Sequence, residues 1–206
     1  MFRSLLACAV ALTLVGCTQS APNADPQAIA AVSYRDAGPA YLTLYTMVNN
    51  RTGGGGHSSL MINGSERVIF DPAGSFNADI VPEYNDVLYG ITPAVERAYR
   101  GAHARSTYHV VRQKVEVTPE QAEIALQLAK QNGQVMGAWC SNATARLLKQ
   151  VPGFEQIDMV YQPVKLQEQF EQIPGVVTDR YYEDDDEDLQ KGLTEGNADL
   201  NQQVQG

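Results

Sequence analysis

The stretch 41-YLTLYTMVNNRTGGGGHSSLMINGSERVIFD-71 decides the fold class. Tyr41 to Val48 is rich in aromatic and β-favouring residues and ends in the turn-prone NNRTGGGG, so it reads as a strand and a loop. His57 to Ile62 and Arg67 to Asp71 are two more strand-like runs, joined by Asn63-Gly64-Ser65-Glu66. Asn-Gly between such runs is the strongest short-range hairpin signal. Alternation puts His57, Ser59 and Met61 on one face and Ser58, Leu60 and Ile62 on the other. The register has two readings. A three-residue loop at 63–65 sets Ile62 against Glu66 and His57 against Asp71. A two-residue loop sets His57 against Phe70 and turns Asp71 to the other face.

Beyond this stretch the pattern turns helical. Thr92-Pro93 opens a helix to about Ala104, because threonine caps well and proline suits the first turn. A further strand follows over 107–117. Thr118-Pro119 with Gln121 forms a capping-box signature for a helix that stops at Asn132-Gly133. Further helices are predicted from Cys140 to about Gln150 and over 163–173. Strands followed by grouped helices indicate an α+β fold, an antiparallel sheet with helices packed on one side.

The chain has 206 residues, 24 Asp+Glu against 15 Lys+Arg, and 44% apolar residues, enough for one domain with a real core plus appendages. Residues 181–206 hold eight acids against Lys191 and so carry most of the formal −9. They read as a solvated, disordered acidic tail. The rest is close to neutral, which excludes nucleic acid as the expected partner. At the other end, an apolar run from Leu5 to Val15 follows Arg3 and is too short to span a bilayer, so 1–16 reads as a signal segment. Residues 18 to about 38 have a linker's composition, and the domain starts near Tyr41.

Cys140 lies in 137-GAWCSNATARLLKQ-150, at or just inside a helix start. Free N–H groups and the helix dipole there favour a thiolate, and the same groups can hold an oxyanion. A thiolate nucleophile needs a base, and His57 supplies one on a strand. Asp71, if it faces His57, can orient the ring and stabilise its charge. Tyr45, on the neighbouring strand, is a candidate oxyanion donor. The tetraglycine lacks the Lys-Ser/Thr ending and the following helix of a phosphate cradle, and reads as clearance beside His57. His103 and His109 have no metal-ligand spacing and read as structural or surface residues; no metal or other cofactor is implied.

The ends of the chain and these three residues carry resemblances. Leu14-Val15-Gly16-Cys17 looks like the lipobox of bacterial lipoproteins, which implies an acylated Cys17 and a chain tethered to the membrane. Cys8 then leaves with the signal, and Cys140 is the only thiol of the folded domain, with no internal disulfide available. Thr18, where inner-membrane retention uses aspartate, implies outer-membrane attachment facing the periplasm. The order His57, Asp71, Cys140 resembles the circularly permuted papain-like hydrolases, NlpC-type and lecithin:retinol acyltransferase-like, over roughly residues 41–150. That resemblance implies Cys140 as nucleophile, His57 as base and Asp71 as orienting residue. It also implies a permuted papain-like domain over 41–180, after the lipidated Cys17 and linker of 17–40. The expected substrates are peptidoglycan peptide amides or lipid acyl groups; the contrasting expectation is a binding or assembly lipoprotein that keeps the fold without turnover.

Overall fold

The structure, a computed structural model, describes residues 23–205. The signal segment 1–16 and Cys17 lie outside the described residues. Among those described, the strands are β1 (Tyr41–Asn49), β2 (Gly55–Asn63), β3 (Arg67–Phe70), β4 (Glu83–Tyr84), β5 (Val87–Leu88), β6 (Tyr108–Glu116) and β7 (Val177–Tyr181). They form a seven-stranded sheet in the order β4-β5-β3-β2-β1-β6-β7. Every pairing is antiparallel, so the α+β class holds.

The helices are α1 (Pro26–Ala31), α2 (Pro93–His103), α3 (Pro119–Gln131), α4 (Cys140–Leu148), α5 (Pro163–Phe170) and α6 (Leu189–Gln205). Local signals start two of them where the sequence indicates. Thr92 caps α2 through the Val95 N–H, and Thr118 and Gln121 form a reciprocal capping box on α3. Each such cap stabilises by about 1 kcal/mol.

Helices cover both faces of the sheet, contrary to the one-sided packing expected. Leu42 and Leu44 of β1, with Leu60 and Ile62 of β2, pack against α3, α4 and α5. Tyr41, Tyr45 and Met61, on the opposite face, pack with Val95 and Tyr99 of α2 and Leu193 and Leu200 of α6. The reason is visible in β1, which is buried from Tyr41 through Val48 on both faces, as a strand between two layers must be.

The acidic segment also differs from expectation. It is no solvated tail throughout: residues 189–205 form α6, which lies on α2. The contact is close because side chains there are small. A Cβ on Gly196 would meet Ala98 Cβ at 3.7 Å, and one on Gly192 would come within 2.5 Å of the Arg105 guanidinium. Part of the expected linker is ordered too, since Ile29 and Val32 pack against the core.

Candidate active site

A β-bulge aims His57. The β1–β2 register runs Met47 to His57 and then Val48 to Gly55, which leaves Gly56 as the extra residue. The tetraglycine makes this possible by close packing, and Gly56 also lines the cavity beside His57. Gly53 sits at φ +68° in the turn, a Cβ on Gly55 would lie 2.6 Å from Pro163 Cβ, and one on Gly56 would lie 2.8 Å from the Tyr108 ring. Side chains at 55 and 56 would therefore push β2 off α5 and β6 and swing His57 out of place.

The β2–β3 hairpin pairs Leu60 with Phe70 and Asn63 with Arg67, around a three-residue loop of Gly64, Ser65 and Glu66. Neither register considered for it is the observed one. Asn63 stays in the ladder because its buried side chain holds the 36–39 segment, accepting from the Asp36 N–H at 3.0 Å and donating to the Pro39 carbonyl at 3.4 Å. The loop is displaced by one residue, and Asp71 falls level with Ser59 instead of His57. It still shares the face of His57, on the diagonal that reaches across neighbouring strands.

That diagonal is bridged. His57 Nε2 lies 2.7 Å from Asp71 Oδ1. Asp71 heads a tight turn in which the Gly74 N–H donates to the Asp71 carbonyl at 2.9 Å, with Pro72 second and Ala73 third at φ +56°. A Cβ on Gly74 would overlap the Asp71 carboxylate, 1.8 Å from Oδ2, so only glycine fits. The buried Asp86 braces this turn by accepting from the Ala73 N–H at 3.1 Å and from the Val135 N–H at 2.7 Å.

Tyr99 of α2 completes the carboxylate's environment. Its hydroxyl is 2.7 Å from Asp71 Oδ1 and 2.7 Å from Ser59 Oγ. A phenol has one proton and the carboxylate is the stronger acceptor, so Ser59 donates to Tyr99 and Tyr99 donates to Asp71. Burial works against the Asp71 charge, but His57 and the Tyr99 hydrogen bond outweigh it and hold the carboxyl below its ordinary range.

Cys140 is the first residue of α4, and the N-cap before it, Trp139, offers no side-chain acceptor. By position, the N–H groups of Cys140, Ser141 and Asn142 have no intrahelical partner. The starts of α2 and α3 carry side-chain caps, whereas those of α4 and α5 do not. The sheet edge cooperates, because β3 ends at Phe70 and leaves the Ser58 N–H of β2 without a strand partner. That N–H donates to Cys140, and Ser58 Oγ meets Ser141 Oγ at 3.1 Å, locking α4 to β2.

His57 also hydrogen-bonds the Cys140 thiol, and with Nε2 committed to Asp71 the nitrogen left for that contact is Nδ1. Burial opposes charge on both partners. On His57 the Asp71 charge and hydrogen bond, with the thiolate, win and raise the pKa to about 10. On Cys140 the hydrogen bond and charge of His57, with the Ser58 N–H, win and lower it to about 7. Between these values the pair is thiolate and imidazolium.

Tyr45 takes no part in this array. It is fully buried, and its hydroxyl donates to Glu96 Oε1 at 2.8 Å, within a network that joins Glu96 to Arg67 and Arg112. His103, which the sequence marks only as structural or surface, stacks its ring on His57 with centroids 6.2 Å apart. Its Nδ1 donates to the Tyr99 carbonyl at 2.7 Å, and burial holds its pKa below the ordinary imidazole value. Spacing offered a signal for both residues: Val95, Tyr99 and Ala102 make one helical stripe, with His103 four residues after Tyr99.

A cavity of about 320 Å³ opens beside His57, lined among others by Gly56, Gly74, His103 and Tyr108. The acidic segment supplies part of its wall through Glu187 and Leu189. Arg105 clamps that segment, its Nε donating to the Asp186 carbonyl at 2.6 Å and its Nη1 lying 3.2 Å from the Asp185 carboxylate. Among the described residues no group of three His, Cys, Asp or Glu is placed to hold a metal. No family model matches the chain, and neither the curated proteins nor the solved structures give a match. The fold and site define a class by geometry alone: an α+β chain with a helix-borne cysteine, a strand-borne histidine and a carboxylate in hydrogen-bonded sequence.

Proposed function

We propose that this chain is a cysteine hydrolase or acyltransferase of the cell envelope, with a permuted papain-like domain, tethered through an acylated Cys17 to the outer membrane and facing the periplasm. Its substrates are peptide amides of peptidoglycan or acyl groups of lipids. The observation that carries this reading is that His57 is hydrogen-bonded both to Asp71, through Nε2, and to Cys140. In this scheme Cys140 Sγ attacks the substrate carbonyl carbon, and the N–H groups at the start of α4 receive the oxyanion. His57 gives its proton to the leaving amine or alcohol as the C–N or C–O bond breaks, leaving a thioester on Cys140. His57 then takes a proton from water, or from an acceptor hydroxyl or amine. That nucleophile displaces the thiolate, and the imidazolium is restored.

One observation favours the second reading, a non-catalytic binding or assembly lipoprotein: Cys140 is only 6% exposed. Thiol chemistry separates the two. An electrophilic probe at neutral pH is expected to label Cys140 in the wild type and to lose its rate in His57→Ala; a wild-type thiol inert to the probe rejects the enzyme reading. Muropeptide and lipid profiles of cells with and without the protein then identify which pool it acts on.

A further inference from the structure

We propose that the apolar surface formed by Met136, Trp139, Met159 and Tyr161, beside the helix start that carries Cys140, docks on the surface of a lipid bilayer. These side chains are 81, 49, 58 and 58% exposed, and they are four of the eight exposed large hydrophobic residues among those described. They sit on two loops brought together by Trp139 and Tyr161, whose rings meet edge to face with centroids 5.2 Å apart. Residues 133–139 and 159–164 contain no charged side chain. The acid bordering Met159, Asp158, is matched by Lys149 at 3.4 Å.

Tryptophan and tyrosine suit the boundary of a bilayer, where one end of the ring is apolar and the other wet, and methionine adapts to a disordered apolar phase. Large exposed apolar side chains on neighbouring uncharged loops mark an interaction site.

The path of the chain names the partner. Asn23, the first described residue, donates to Asn85 Oδ1 at 3.1 Å and accepts from the Asn85 N–H at 2.8 Å. The next residue, Asp86, accepts from the Val135 N–H, and Val135 adjoins Met136. The chain thus enters the domain on the edge that carries the patch. Cys17 precedes Asn23 by six residues, a reach of at most about 20 Å. An acyl anchor there, which is part of the function proposed above, turns this edge to the membrane and places the start of α4 beside it.

Trp139 is the only tryptophan of the chain, so its emission reports on the patch alone. The full chain is mixed with phosphatidylcholine vesicles whose acyl chains carry bromine. Trp139 emission is expected to shift to the blue and to be quenched. Met136→Ser with Met159→Ser is expected to weaken vesicle partitioning at least about tenfold, given the apolar area two methionines bury. Emission that ignores the vesicles overturns the proposal. Quenching undiminished in the double variant also overturns it, because the anchor alone then accounts for the contact. Emission already blue in buffer and dependent on protein concentration overturns it in favour of a second copy on the patch. The same lipid response is expected in Cys140→Ser, so the docking surface and the thiol chemistry stand or fall separately.

Discussion

Asp71→Asn removes one charge and almost no volume, and leaves an acceptor for the His57 Nε2–H. In the wild type the Asp71 carboxylate is the main influence that lifts His57 to about 10 against its burial. Without it burial dominates, and the imidazolium gives up its proton near neutrality. Cys140 then loses the charged partner that holds it at about 7 and returns toward its ordinary 9.0. At pH 7 roughly half of the wild-type thiol is ionised; a full return to 9.0 would leave about 1%, so the loss of thiolate is at most roughly fifty-fold, or 2–3 kcal/mol of differential stabilisation. The assay is the rate of iodoacetamide alkylation of Cys140 against pH, with the folded fraction checked by circular dichroism. The wild-type midpoint is expected at about 7 and the variant midpoint at least one unit higher. A variant midpoint still at the wild-type value would refute the reasoning, because Asp71 would then not be what keeps His57 charged.

Tyr99→Phe leaves the buried Ser59 hydroxyl and one acceptor site of Asp71 unpartnered, so urea unfolding should report a loss of about 1–3 kcal/mol. Its alkylation midpoint should stay closer to wild type than that of Asp71→Asn, since the carboxylate remains charged. Gly74→Ala places a Cβ on the Asp71 carboxylate; it should move the alkylation midpoint in the same direction as Asp71→Asn and lower stability by about 1–3 kcal/mol. The contribution of the pair to folding also has a pH window. Asp71 lies below its ordinary 3.8, so its share is present above that pH and lost as pH falls through the lower folded value. His57 lies above its ordinary 6.5, so its share is complete below 6.5 and lost as pH rises through the raised value. A Cys140→Ser background removes the opposite contribution of the thiol. In that background, the stability lost on adding Asp71→Asn should be greatest between about pH 4 and 6.5. A loss that grows above pH 7 in urea titrations contradicts these assignments.

Local signals were the legible ones. Thr92-Pro93 and Thr118-Pro119 with Gln121 act within one turn, and the helices begin where those residues place them. Alternation in 57–62 correctly separates His57 and Ser59, which lie on the Tyr99 side of the sheet, from Ser58, which lies on the α4 side. What escaped depends on partners distant in sequence. The hairpin register is set by Asn63 holding the 36–39 segment, a contact across more than twenty residues. The packing of α6 uses glycine and alanine, so its composition looks too polar for a buried face, although Leu193 and Leu200 are 4% and 2% exposed. Tyr45 reads as available because its strand neighbours the site, but the strand lies under α2, where Glu96 takes its hydroxyl. His103 and Tyr99 share a helical stripe but carry no motif, and only the packing of α2 on the sheet brought them to His57 and Asp71.

The central claim is that Cys140 is a nucleophile activated by His57. Intact-protein mass spectrometry after brief exposure to an activated ester such as a p-nitrophenyl acyl ester tests it most directly. The expected result is one acyl group, mapped to Cys140, formed at neutral pH by the wild type, absent from Cys140→Ser and strongly slowed in His57→Ala. A wild-type protein that remains unacylated, or that acquires the group at the same rate without His57, would contradict it.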